Sequence, residues 1–452
     1  MPELPEVESI RRNLIAVVKD LTIEDVNVYY RPIVSNDITF ETRLKGKTIK
    51  DIKRKGKYLF FMIDDLVMVS HLRMEGKYMM DKERDLKHTH VEFIFKDHIL
   101  QYHDTRKFGR FELLDRNTFD INTYNHLGKE PFDLTGDEFY QKIHKRRDSI
   151  KEILLNQSII AGIGNIYANE ILYRSKLHPA KPGFMIKPEE ADLLIKQSKW
   201  VLDKAIRMGG TTIDTFESLG HKGQFQQELM VHGKEGETCP LCDSTIKKVQ
   251  HGDRGTYYCE GCQKGYVIAL TGGIATGKSS VAHYLTKKGF MVVDSDKIVG
   301  NLYQQKEVQD WLIKTFKAKT PAGEVDKAKI ASIVFSNKKQ REKLEHYLHP
   351  KVYEVIEKTK QESFEYLMFL DIPLLFESGY KGYDKSILIT CRKELQLQRL
   401  MERNHLTQTE AQSRIKSQMP LSKKIRLADA VIENNQTLKD LYRKVDLYLE
   451  IF

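Results

Sequence analysis

Three groups of residues carry chemistry by type and spacing. Cys239-Pro240-Leu241-Cys242 and Cys259-Glu260-Gly261-Cys262 are two C-x2-C pairs with 16 residues between them. Knuckles of this kind present four thiolates tetrahedrally to Zn2+, so Cys239, Cys242, Cys259 and Cys262 are expected to hold one structural zinc ion per chain. Cys391 stands apart and reads as an ordinary buried thiol. The run Gly272-Gly273-Ile274-Ala275-Thr276-Gly277-Lys278-Ser279, with Ser280 after it, matches G-x4-G-K-S. Its backbone amides would cradle nucleotide phosphates, Lys278 would reach the terminal phosphates, and Ser279 would ligate Mg2+. The third group is Pro2-Glu3. Removal of Met1 leaves a secondary amine with a pKa near ~8, a nucleophile able to attack a sugar C1′ and form an iminium ion. Glu3 beside it is a candidate general acid or base. Taken alone, Pro-Glu at a terminus is more often helix-capping chemistry.

The surrounding pattern must position these groups. Val7, Ile10, Leu14 and Val17 fall at helical spacing behind the Pro-rich start, predicting a short amphipathic helix. From about residue 22 to 114, short apolar runs broken by Asp64-Asp65 and Lys96-Asp97 predict an antiparallel sandwich or barrel. Residues 136–208 return to helical patterning. From Tyr266 onward, strand-like runs at 267–270, 291–293, 368–370 and 387–389 alternate with longer helical stretches, which reads as a parallel α/β sheet.

The 452 residues, 40% hydrophobic and 30% charged, exclude a single small module and a largely disordered chain. No apolar run reaches the ~18 residues needed to span a bilayer, and the start does not read as a secretory signal; we expect a cytoplasmic protein without a membrane partner. Five cysteines, an odd number, argue against a disulfide scaffold. The net charge is +10, but residues 1–265 hold 42 basic against 40 acidic side chains, and residues 266–452 hold 31 against 23. Charge alone would place a polyanion on the C-terminal part.

Motifs over residues 1–265 say otherwise. Pro2-Glu3-Leu4-Pro5-Glu6-Val7-Glu8, Gly56-Lys57-Tyr58-Leu59, His71-Leu72-Arg73-Met74-Glu75-Gly76, Asp104-Thr105-Arg106-Lys107-Phe108-Gly109, Ala161-Gly162-Ile163-Gly164-Asn165 and the cysteine pairs together resemble formamidopyrimidine-DNA glycosylase. The resemblance implies excision of oxidised purines (8-oxoguanine and formamidopyrimidines) from damaged double-stranded DNA, followed by β,δ-elimination at the abasic site. It makes Pro2 the nucleophile and Glu3 the acid/base, with Lys57 and Arg254 holding phosphate beside them in the catalytic set. Met74, Arg106 and Phe108 would fill the gap left by the extruded nucleotide, and Lys151, Asn165 and Arg254 would contact the DNA. Flipping a base costs a few kcal/mol, which an apolar wedge and an arginine offered to the orphan base would offset in part. Residues 211–227 resemble a loop that closes over the flipped base. An enzyme similar to endonuclease VIII, or a module that binds lesions without cutting, is the alternative.

Residues 266–452 carry Leu270-Thr271-Gly272-Gly273-Ile274, Val293-Asp294-Ser295-Asp296, His349-Pro350, Asp371-Ile372-Pro373-Leu374-Leu375-Phe376-Glu377 and Gln418-Met419-Pro420-Leu421, which resemble dephospho-CoA kinase. That implies transfer of phosphate from ATP, with Mg2+, to the 3′-hydroxyl of dephospho-CoA. Asp296 matches the acid near the acceptor hydroxyl; Asp294 serves structure or the metal shell. Arg399, Arg403 and Arg414 fall in a region resembling the mobile lid. A different small-molecule P-loop kinase is the alternative. The expected organisation is a β-sandwich catalytic domain at 1–130, a helix-two-turns-helix domain at 131–235, a zinc ribbon at 236–265 and an α/β P-loop kinase at 266–452, in a monomeric chain.

Overall fold

The structure, a computed structural model, describes residues 2–211, 223–320 and 324–452. They form two compact units, Met1–Lys264 and Gly265–Phe452.

In the first unit, the helix Leu4–Val18 starts at two prolines and buries Val7, Ile10, Leu14 and Val18 along one side. It packs on a sandwich of two antiparallel sheets. One orders β2 (Ile49–Lys55), β3 (Tyr58–Ile63), β4 (Leu66–His71) and β8 (Arg110–Asp115); the other orders β1 (Asp25–Val28), β6 (Thr89–Ile94), β7 (Ile99–His103) and β5 (Lys77–Met80). Ile52, Phe61, Met68, Phe93, Leu100 and Phe111 fill the space between the sheets together with the helix. Strands β3 and β4 are apolar on both faces because Phe119, Ile121 and Tyr124 cover Phe60, Met62, Val67 and Val69 from outside. This explains continuous apolar runs where a solvated sheet would alternate.

Helices Gly136–Ile143, Ile150–Leu155, Asn165–Arg174 and Pro188–Arg207 follow. Thr135 and Ser149 accept from the backbone N–H groups of Glu138 and Glu152, capping the first two. Between the second and third, the chain turns at Gly162, whose φ of +100° favours glycine. A Cβ there would overlap Leu4, and the Leu4 N–H donates to the Gly162 carbonyl at 3.1 Å. The turn thus holds the chain start. A hairpin of β9 (Ile246–His251) and β10 (Arg254–Cys259) ends the unit.

The second unit is built on β11 (Tyr266–Gly272), β12 (Met291–Asp294), β13 (Leu367–Asp371), β14 (Lys385–Thr390) and β15 (Ala430–Glu433), in the order β12-β13-β11-β14-β15 and all parallel. The apolar runs of the sequence mark the first four. Only Ile432 is buried in β15, so this edge strand has no apolar run to announce it. The order reverses at β11, and such switch points open a crevice at the strand C-termini.

Candidate active sites and zinc centre

Pro2 and Glu3 are buried where the first helix begins. The Glu3 N–H donates to Glu6 Oε2 at 2.8 Å, while Glu6 Oε1 accepts from the Tyr167 hydroxyl at 2.5 Å and the Thr211 N–H at 2.7 Å. The Glu3 carboxylate instead reaches the start of the helix Asn165–Arg174, accepting from the Gly164 N–H at 2.6 Å and the Ile166 N–H at 2.9 Å. Helix N-termini leave such donors unpaired and favour negative charge. Burial nevertheless dominates and lifts the Glu3 pKa to about 7, against the lowering effect of Lys57 and with a raising contribution from Glu6. A carboxyl poised near neutrality can hold or release a proton at working pH.

Lys57 is 7% exposed at the tip joining β2 and β3. Burial lowers its pKa; the charges of Glu3 and Glu6 oppose that, and Arg254 adds to it. Its hairpin is fixed from behind. Arg54 pairs with Glu8 at 3.0 Å and with Glu130, whose Oε1 also accepts from the Gly56 N–H at 2.6 Å. Glu8 further binds Arg11 and Arg12. Despite its burial, these guanidiniums hold Glu8 at about 2.

Lys151 is almost fully buried, and its ammonium donates to the Gly255 carbonyl at 3.1 Å and Thr256 Oγ1 at 2.8 Å. Asn165 Nδ2 donates to the same carbonyl at 3.0 Å. Burial and the neighbouring Arg254 bring Lys151 down to about 7. These two side chains therefore seat the hairpin on the helices, leaving Arg254 exposed at its tip.

Met74, Arg106 and Phe108 lie on two loops, β4 to β5 and β7 to β8, that cross between the sheets at one end of the sandwich. Met74 is half-buried, and Arg106 and Phe108 are exposed, the guanidinium 4.9 Å over the ring. Asp104 pins the second loop by accepting from the Arg106 and Gly109 N–H groups at 3.0 and 2.7 Å. The Thr105 hydroxyl donates to the Glu75 carboxylate, joining the loops. Both rest on Tyr102: a Cβ on either Gly76 or Gly109 would overlap its hydroxyl. The closing loop expected at 211–227 falls largely outside the described residues.

The sulfurs of Cys239, Cys242, Cys259 and Cys262 lie within 4.8 Å of one another, with Cys239 and Cys262 at 3.8 Å. Four thiolates ~2.3 Å from one zinc ion stand ~3.8 Å apart in a tetrahedron, so the donor set fits zinc. The Tyr173 hydroxyl lies 3.2 Å from Cys239 Sγ, behind the site. Cys391 is buried, and burial pushes its thiol pKa up.

In the second unit, Gly272 to Ser280 line a cavity of about 440 Å3 together with Asp296, Pro373, Arg399, Arg403 and Gln418. Lys278 is paired with Asp371 at the C-terminal end of β13. Burial raises the Asp371 pKa, against the pull of Lys278. Gly277 takes φ +102°, and a Cβ there would overlap Asn434, whose Nδ2 holds the Thr276 carbonyl at 2.9 Å. Asp296 is raised by burial, partly countered by Lys278. Asp294 caps the helix Ser295–Leu302, accepting from the Asp296 and Lys297 N–H groups at 2.9 and 3.1 Å. Arg414, grouped in sequence with Arg399 and Arg403, lines a different cavity.

Several site residues were not singled out by sequence. Glu6 and Asp371 lay inside the quoted motifs, and an acid at the end of an apolar run beside a P-loop was a usable signal. Arg54, Glu130 and Tyr102 had none, because their partners are distant in the chain.

Fold and sites define a chain of two catalytic units: an assembly of sandwich, helices and four-cysteine hairpin of the DNA-glycosylase type, and a P-loop kinase. Family models agree, matching Formamidopyrimidine-DNA glycosylase N-terminal domain at residues 1–111, its H2TH domain at 127–217, Zinc finger found in FPG and IleRS at 236–265, and Dephospho-CoA kinase at 266–440. The formamidopyrimidine-DNA glycosylase of Bacillus anthracis is 43% identical over 274 residues, covering 58% of this chain and 99% of the relative. That of Lactobacillus helveticus (strain DPC 4571) is 43% identical over 276 residues, with the same coverage. A solved structure of the complex between the Lactococcus lactis Fpg and an abasic site containing DNA superposes with TM-score 0.56 at 40% identity, over 58% of this chain and 99% of that one. The chain belongs to the formamidopyrimidine-DNA glycosylase family over its first unit and carries a dephospho-CoA kinase domain as its second. Among the described residues, no helix is long and apolar enough to cross a membrane.

Proposed function

We propose that the first unit excises oxidised purines from duplex DNA through a Schiff base on Pro2. With Met1 removed, the Pro2 nitrogen attacks C1′ as the bond to the base breaks. Glu3 gives its proton to the ring oxygen as the sugar opens, and the amine proton departs as the iminium forms. β- and then δ-elimination break the bonds to the two flanking phosphates. The observation that carries this reading is the Glu3 carboxylate, buried beside Pro2 and held by the Gly164 and Ile166 N–H groups, with Lys57 in electrostatic reach. Lys57 and the exposed Arg254 hold phosphates at the lesion, while Met74, Arg106 and Phe108 enter the gap. Lys151 and Asn165 act by fixing the hairpin that presents Arg254. Zinc in the four-cysteine site holds that hairpin's base. Borohydride should trap a covalent adduct with 8-oxoguanine duplex whose attachment maps to the Pro2 nitrogen by peptide mass spectrometry; no adduct with the native chain would sink the reading.

For the second unit we propose ATP-dependent phosphorylation of dephospho-CoA. The amides of Gly272 to Ser280 and Lys278 bind the donor phosphates, Ser279 takes part in holding Mg2+, and Asp296 receives the acceptor hydroxyl proton. When bound, Mg2+ would supply charge neutralisation to the donor phosphates. Position carries this reading: Asp296 lines both the P-loop cavity and an adjoining one of about 280 Å3. Transfer from labelled ATP to dephospho-CoA tests it, and equal or faster transfer to nucleosides would overturn it.

A further inference from the structure

Lys151 and Asn165 both grip the hairpin that presents Arg254 on one strand, β10, at the Gly255 carbonyl and Thr256 Oγ1. A hairpin gripped on one strand alone is free to rock about that grip. Its tip is short. Arg254 pairs in register with His251, the last residue of β9, across Gly252 and Asp253, and Gly252 takes φ +56°.

His251 supplies a hold on the other strand. Its Nε2 lies 2.8 Å from the hydroxyl of Ser149, the buried residue that caps the helix Ile150–Leu155. Counting protons fixes the direction of this bond. Ser149 Oγ accepts from the Glu152 N–H at 3.3 Å and lies 2.7 Å from Glu152 Oε2, a carboxylate oxygen that can only accept, so the single hydroxyl proton goes there. Oγ is left as the acceptor toward His251, whose Nε2 must carry the proton. Burial lowers the His251 pKa; Glu152 opposes that and Lys151 adds to it. The ring is therefore neutral near pH 7, with this one N–H. The bond ties the residue facing Arg254 to the same helix that carries Lys151.

Resting on the reading of Arg254 as a phosphate contact, we infer that His251 is a positioning residue for DNA binding: its Nε2–H, donated to Ser149, fixes the hairpin tip so that the Arg254 guanidinium meets the phosphate in one orientation. Lys151 and Asn165 set where the hairpin sits, and His251 sets its angle. A guanidinium on a rocking tip would lose affinity to the cost of ordering it.

The test uses the full chain and four variants: His251→Phe, which keeps a ring and loses the donor; His251→Gln, which keeps an N–H; Arg254→Ala; and the double variant of His251→Phe with Arg254→Ala. Affinity for a duplex holding a tetrahydrofuran abasic analogue is measured against salt concentration, with zinc content as the check on the hairpin's fold. Arg254→Ala should weaken binding and lower the slope of log Kd against log salt by about 0.9, the value of one phosphate contact. No change in either overturns the Arg254 reading and this inference with it. Given that result, His251→Phe should weaken binding about tenfold, the scale of one charge-assisted hydrogen bond. Its salt slope should fall toward that of Arg254→Ala, and the double variant should bind no more weakly than Arg254→Ala alone. His251→Gln should bind like the native chain. Additive losses in the double variant, unchanged binding in His251→Phe, equal losses in the Phe and Gln variants, or loss of zinc from His251→Phe would overturn the positioning role while leaving the Arg254 reading intact.

Discussion

Glu3 and Gly164, 161 residues apart in the chain, meet at a hydrogen bond of 2.6 Å from the Gly164 N–H to the Glu3 carboxylate. The contact leaves no room: a Cβ at 164 would overlap that carboxyl group. Gly164→Ala should displace Glu3 from the Pro2 nitrogen and lower single-turnover nicking of 8-oxoguanine duplex by about a hundredfold, the cost of roughly an ångström of misplacement. Unchanged nicking would show that Glu3 is not position-sensitive.

The pH profile should report Glu3. With its pKa about 7, kcat/KM should show a limb near neutrality that is absent in Glu3→Gln. Lys57 favours the carboxylate, so Lys57→Met should leave the proton bound to higher pH and move the limb in the alkaline direction. A limb that moves toward acid would contradict the electrostatic arrangement.

Acid stability should depend on Glu8. Its folded pKa of about 2 lies below the ordinary 4.5, so the stabilisation is complete above pH 4.5 and is lost as pH falls toward 2. It amounts to at most about 3 kcal/mol. Glu8→Gln should lower the urea midpoint of the first unit at pH 7, and the gap from wild type should narrow on acidification. A gap independent of pH would mean that packing, not charge, is what Glu8 contributes.

Removing zinc should separate the activities. Chelation under mild denaturation should release the four-cysteine hairpin and with it Arg254, abolishing nicking, because structural zinc sites contribute folding energy directly. Phosphorylation of dephospho-CoA, assayed after the chelator is removed and Mg2+ is restored, should persist, since the kinase unit contains none of the four ligands. Simultaneous loss of both activities would refute independence of the units.

Lys278→Ala should do the reverse. It removes the donor-phosphate cation and leaves Asp371 without its partner, so kinase kcat should fall by at least about a hundredfold. DNA nicking, measured on the same preparation, should be retained.

The local chemistry was legible from sequence because it is carried by spacing. Two C-x2-C pairs specify a tetrahedral thiolate site, G-x4-G-K-S specifies a phosphate cradle, and apolar runs mark four of the five kinase strands. β15 escaped, since an edge strand with one buried side chain leaves no run. Net charge misdirected the reading, pointing to the kinase for a polyanion, because a groove is set by where a few side chains stand. Only the tertiary structure decided that Glu3 leaves its own helix for the start of another, that Lys151 and Asn165 support a hairpin, and that Arg414 stands apart from Arg399 and Arg403. The physical reason is the same in each case. Hydrogen bonds and burial act through distances between residues far apart in the chain, and no local pattern encodes those distances.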